Sequence, residues 1–138
     1  MIIAHLSDLH LGYRAFGNME QGRNVREADV ARAFHQAIQR ILEIAPSVVL
    51  VAGDVFDRPE PPHSALVALA QGLQSLRKAL PDTPVLMAAG ARDTPAGPAD
   101  PGALAAFDTL PGVEAVTATT RSVYYSRLDL NIVLVPHR

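Results

Sequence analysis

Apolar positions recur along this chain in two rhythms. IIAHL (residues 2–6), SVVLVAG (47–53) and PVLMAAG (84–90) are short, continuous apolar runs. The last two show no polar alternation, as expected of strands covered on both faces in a parallel sheet. Residues 24–45 instead space Val30, Phe34, Ile38, Ile41 and Leu42 at helical intervals. That spacing predicts an amphipathic helix closed by Pro46. Leu66, Leu69, Leu73, Leu76 and Leu80 mark a second helix. The order β-α-β-α-β predicts an α/β fold with right-handed crossovers. Asp100 and Pro101 suit the N-cap and first residue of a short helix ending near Leu110. VEAVTAT, SVYYS and LDLNIVLVP add strands to the tail.

Two of the buried runs end alike: SVVLVAGD and PVLMAAGARD each pass through a glycine into an acidic loop. Parallel strands put such loops at one edge of the sheet, where α/β proteins bind ligands. HLSDLHLG brings Asp8 and His10 to the same edge, two residues apart and therefore on one side of an extended chain. AGDVFD follows a buried strand with Gly53, which permits a tight turn, and with Asp54, whose carboxylate needs a partner there. Asp57 and Arg58 lie farther along that loop. Two carboxylates and an imidazole converging on one place form a reasonable start to a transition-metal site. Singly, Asp8 reads as a turn former, His10 as a surface residue and Asp54 as a loop cap; their convergence favours the metal.

HLSDLHLGYRAFG, VVLVAGDVFDRPEPP and the Gly90 loop, in this order, resemble the calcineurin-like metallophosphoesterases, and among them the SbcD-type nucleases of double-strand-break repair. The resemblance implies a layered sandwich, of which this chain supplies mainly the first β-α-β-α-β half with additional C-terminal strands. It implies a single nuclease-like domain over residues 1–138, incomplete at the C-terminus. It further implies a two-metal manganese centre in which Asp8 and His10 hold one ion and Asp54 bridges to the second. In the family the third motif supplies an asparagine for the second metal and a histidine that assists cleavage. Here GARD keeps Gly90 and Asp93 and places Ala91 and Arg92 at those two positions. The family's later G-H and G-H-x-H motifs are absent, and LVPHR, with His137, resembles the strand that precedes them.

Alanine has no ligand atom, and a guanidinium neither accepts a proton nor tolerates a neighbouring metal ion. One ion or none is therefore expected on this chain, with Arg92 neutralising Asp8 and Asp54 in place of a metal. His5, His35 and His63 match no ligand position and read as core, helix-face and loop residues. DNA as substrate, a homodimer formed through helices of this region and an SMC-like ATPase partner of the SbcC type are implied by resemblance. A second copy or partner would also cover the sheet face that a half sandwich leaves bare.

Composition narrows the rest. The chain has 138 residues, 49% apolar, no cysteine and a net charge of −2, with a mean hydropathy of +0.13. Disulfides and thiolate metal sites are excluded, and no global basic field attracts nucleic acid. No run approaches a membrane span, and MIIAHLSDLHLG lacks the basic start and long apolar centre of a signal peptide, so a cytoplasmic location is expected. Two functional readings stand. One is an SbcD-like exonuclease domain, impaired or inactive as this chain. The other is a degenerate, non-catalytic module serving as a binding or dimerisation scaffold. A nucleotide-binding α/β domain ranks last, because neither a Walker loop nor G-x-G-x-x-G is present.

Overall fold

A computed structural model describes residues 1–15, 17 and 19–137. The chain runs through β1 (Ile3–Leu6), a small hairpin of β2 (Met19–Glu20) and β3 (Arg23–Asn24), α1 (Val25–Ile44), β4 (Val48–Ala52), α2 (His63–Ala79), β5 (Val85–Ala88), β6 (Val113–Val116), β7 (Arg121–Tyr125) and β8 (Leu130–Leu134). Short 3₁₀ turns cover Ala91–Asp93, Ala103–Thr109 and Ser126–Leu128. The three apolar runs and VEAV form a sheet in the order β1-β4-β5-β6, every neighbouring pair parallel.

Local chemistry sets the helix ends. The Asn24 side chain accepts the Arg26 and Glu27 N–H groups, satisfying two donors that the first turn of α1 cannot. At the other end Ala45 turns left-handed and its N–H meets the Ile41 carbonyl before Pro46 stops the helix. α2 follows Pro62, whose fixed φ suits a helix entry. The two helices approach so closely at Gly72 that a Cβ there would overlap the Phe34 ring. Any side chain at position 72 would separate them.

Each central strand is covered on both faces, as its uninterrupted apolar pattern requires. Val49, Val51, Val85, Met87, Val113 and Ala115 face the helices and Leu104. Val48, Leu86 and Val116 face away and pack with Leu134. The cover on that second face is the antiparallel β7–β8 hairpin, whose Val123, Tyr125, Leu130 and Ile132 pack against it. The expectation of a bare half sandwich is therefore corrected over the middle of the sheet. Exposure persists at the β1 edge, where Ile3 and His5 point outward, and on the outer side of the hairpin at Val133. Arg121 fastens the hairpin base, pairing through two nitrogens with Asp108 at 2.7 and 2.9 Å and also meeting Glu114. Those contacts hold the Asp108 carboxyl below its ordinary range and push the guanidinium up.

Three local expectations change. The segment after Asp100 is a 3₁₀ turn beginning at Ala103, and the Asp100 carboxylate accepts the Gly102 N–H rather than capping an α-helix. His5 is exposed rather than core, and His63 begins α2 rather than lying in the loop. The β2–β3 hairpin, two residues per strand, carries no apolar pattern to announce it.

Glu27 is the buried charge that ties this hairpin region to both helices. It is 2% exposed, receives Arg14 Nε at 2.7 Å and is met by the Ser64 hydroxyl from α2. Burial pushes its carboxyl up, but the Ser64 and Arg14 hydrogen bonds and the charges of Arg14 and Arg23 outweigh that, and the net direction is down. A depressed folded-state pKa stabilises the fold above the unfolded value of 4.5 and loses that contribution as pH falls through the folded value. Glu27→Gln should cost about 1.5–3 kcal/mol at neutral pH. In thermal melts against pH, the gap between the two proteins should close below pH 4.5; a constant gap would contradict the assignment.

Candidate metal centre

Beyond the strand ends, the β1 and β4 loops continue to bond to one another. Asp8 N–H meets Gly53 O, His10 N–H meets Asp54 O, Leu11 N–H meets Val55 O, and Asp57 N–H returns to Leu11 O, at 2.9–3.1 Å. This ladder holds a backbone that alone would be costly. Asp8, His10 and Asp54 have φ of 55°, 49° and 49°, and Gly53 has 81°. Left-handed non-glycine residues cost of order 1–3 kcal/mol each and cluster at functional sites. The side chains of Asp8 and His10 therefore converge through turns after the strand, not through strand alternation, because β1 ends at Leu6.

The convergence itself is present. Asp8, His10 and Asp54 each offer a ligand atom within 4.8 Å of the others, and His10 Nε2 lies 4.0 Å from an Asp8 oxygen. Among the described residues no lysine or arginine pairs with either carboxylate. Asp54 is instead met by a backbone donor, the Arg92 N–H at 3.0 Å. Two carboxylates and an imidazole so placed, with no protein cation opposite them, suit a divalent ion.

The Arg92 guanidinium turns elsewhere, so charge compensation of Asp8 and Asp54 by this side chain is not what the structure shows. Its Nη1 approaches the Asp57 carbonyl at 3.4 Å and an Asp57 carboxylate oxygen at 3.8 Å. That same oxygen lies 3.2 Å from His10 Nδ1, in a geometry that leaves the buried nitrogen without a hydrogen bond. Asp57 thus stands behind the imidazole, on the ring nitrogen away from Asp8. Carboxylates in this place orient metal-binding histidines. The spacing D-V-F-D alone gave no sign of this link.

Gly90 and Asp93 are structural partners of the centre. A Cβ at position 90 would overlap the backbone nitrogen and carboxylate of Asp54. Asp93 is 2% exposed, and its two oxygens accept the N–H groups of Val55, Phe56 and Gly90 at 3.1, 2.8 and 2.8 Å. Burial pushes its carboxyl up, the three N–H bonds oppose this, and the charge of Asp54 adds to the rise. Ala91 is exposed and brings no donor atom. Opposite, the end of β8 carries Pro136 and His137 into the lining of the same cavity as Asp8 and Asp54. The motif pattern assigned His137 no role; only the return of the hairpin reveals its position.

Residues 1–130 match the model of the calcineurin-like phosphoesterase family. This chain belongs to that family. Its relatives include proteins named DNA double-strand break repair protein Mre11. The one from Methanococcus maripaludis is 35% identical over 95 residues, 69% of this chain and 24% of that protein. The one from Methanocaldococcus jannaschii is 40% identical over 78 residues, 56% of this chain and 20% of that protein. In Aeropyrum pernix the figures are 39% over 95 residues, 67% and 21%. The matched region is thus less than a quarter of each relative's length. A metallophosphoesterase family implies a divalent metal, and the Asp8, His10 and Asp54 cluster is a possible site for it. No helix among the described residues is long and apolar enough to cross a membrane.

Asp93→Ala should leave three N–H groups around the centre without an acceptor. At about 1–3 kcal/mol for each orphaned buried donor, the loss should be about 3 kcal/mol or more in denaturant unfolding. A variant as stable as the parent would show that water or a loop shift replaces the carboxylate.

Proposed function

We propose that this chain carries a metal-dependent phosphodiesterase site of the DNA-repair nuclease type, holding one divalent ion, Mn²⁺, at Asp8, His10 and Asp54. The convergence of those three side chains carries the proposal. The donor set fits one ion, with water filling its remaining positions. It does not fit a second as the family has it, since Ala91 supplies no ligand atom. When bound, the ion would supply Lewis-acid stabilisation of a phosphoryl oxygen and a more acidic bound water. The chain's own residues would position it: Asp57 lies 3.2 Å from His10 Nδ1 on the side away from Asp8, Gly90 lets the third loop close on Asp54, and Asp93 fixes both loops. Phosphodiester bonds of DNA as substrate are supported by the names of the relatives. A homodimer through α1 and α2 and an SbcC-type ATPase partner rest on resemblance alone.

The catalytic part of the loop is where this chain departs. A proton-transferring side chain contributes about 10²- to 10⁴-fold in rate, and Arg92 cannot take that role. The reading is therefore of an impaired enzyme. The scaffold alternative draws on the same two residues, because loss of ligand and acid together leaves the fold intact.

Two measurements separate these readings. Calorimetric titration should show one Mn²⁺ per chain, lost in Asp54→Ala; two ions would mean that the Ala91 position is compensated and the one-ion reading is wrong. Hydrolysis of bis-p-nitrophenyl phosphate should rise by about 10²-fold or more in the double variant Ala91→Asn, Arg92→His. No gain over the unaltered chain would argue against impairment at these positions and for the scaffold.

A further inference from the structure

The cavity beside Asp8 and Asp54 has a volume of about 400 Å³, within the range of small-ligand sites. One wall is acidic, from Asp8 and Asp54; the floor is small, from glycines and alanines that include Gly90 and Ala91. The end of β8 brings Val135, Pro136 and His137 into the same lining. Among the described residues lining this space, His137 alone carries a side-chain hydrogen-bond donor. Its place is well held: the His137 N–H donates to Ala89 O at 2.8 Å, tying the end of β8 to the end of β5. Pro136 beside it is buried and has a fixed φ. His137 is exposed and is one of the residues lining the cavity.

A phosphodiester seated on an ion at the carboxylates brings further anionic oxygens into this cavity. Those oxygens need donors. Arg92 does not supply one here, because its guanidinium is directed at Asp57. We propose that His137 is the phosphate-contacting side chain of this site, donating from its imidazole to a non-bridging oxygen of the phosphodiester from the wall facing the carboxylates. This rests on the phosphodiesterase reading above and adds a substrate-binding residue that the sequence motifs do not indicate. An imidazole N–H is a suitable donor to an anionic oxygen. It reaches the ligand from a separate strand and does not depend on residues 91 and 92.

The test uses inorganic phosphate as probe on the unaltered chain, His137→Ala and His137→Gln, each first titrated with Mn²⁺. Metal stoichiometry and affinity should be the same in all three. Phosphate affinity of the Mn²⁺-loaded protein should fall about tenfold or more in His137→Ala, as for a lost hydrogen bond to a charged group. His137→Gln, which keeps an N–H donor, should recover part of it. Unchanged phosphate affinity in His137→Ala would overturn the inference. Loss of Mn²⁺ in that variant would also overturn it, by making His137 a metal ligand. Failure of the unaltered chain to take up Mn²⁺ would be seen before phosphate is added; it would overturn the metal-centre reading and this inference with it.

Discussion

The buried carboxylate of Asp93 is the interaction on which the site depends. Two sheet-end loops meet there, one after β4 and one after β5, and each has backbone N–H groups with no strand partner. Asp93 collects three of them, from Val55, Phe56 and Gly90. Its cost is desolvation of a charged group, visible in the upward push on its carboxyl. The result is a fixed distance between Asp54 and the third loop. Gly90 makes the closure possible by presenting no Cβ to Asp54. The loop geometry thus comes from positions 90 and 93, whereas its chemistry would come from 91 and 92. The two pairs are independent in physical terms, so substitution at the second pair leaves the architecture standing.

A comparable division holds for the other two ligand loops. Asp8, His10 and Asp54 adopt left-handed backbone, and the ladder of bonds from Asp8 to Asp57 offsets the strain. Leu11, Val55 and Phe56, all essentially inaccessible, bury the far side of that ladder. The candidate ligands therefore sit on turns held in place by hydrophobic residues that alternate with them along the same loops. This is why two polar loops can hold Asp8, His10 and Asp54 with candidate ligand atoms within 4.8 Å of one another.

Much of this was legible in the chain. Continuous runs such as SVVLV and PVLMA could only be strands covered on both faces, and parallel order then forced Asp8, His10 and Asp54 to one edge. Apolar spacing gave both helices, because burial of Phe34, Ile38 and Ile41 in α1 and of Leu69, Leu73 and Leu76 in α2 follows the 3.6-residue period. What stayed hidden depends on side-chain direction or on returns from far along the chain. The Arg92 guanidinium was free to turn toward Asp8 or Asp57, and no period in the sequence chooses between them. The β2–β3 hairpin buries little and so leaves no apolar signature. His137 reaches the cavity only because the β7–β8 hairpin folds back over the second sheet face, a docking set by Leu134 and by the His137 N–H bond to Ala89.

That return changes how the departure at Ala91 and Arg92 is understood. Judged along the sequence, the third loop loses a ligand and an imidazole together, and the centre looks dismantled. Judged in space, no lysine or arginine among the described residues pairs with the carboxylates, and Arg92 is paired away from them with Asp57. An arginine packed between Asp8 and Asp54 would have filled the place of a metal and closed the site. Here it does not; Asp8 and Asp54 line a cavity that His137 also lines. The concentration of negative charge therefore survives the substitutions, because it arises from Asp8 and Asp54 on the loops after β1 and β4, and position 92 meets Asp54 only through its backbone N–H.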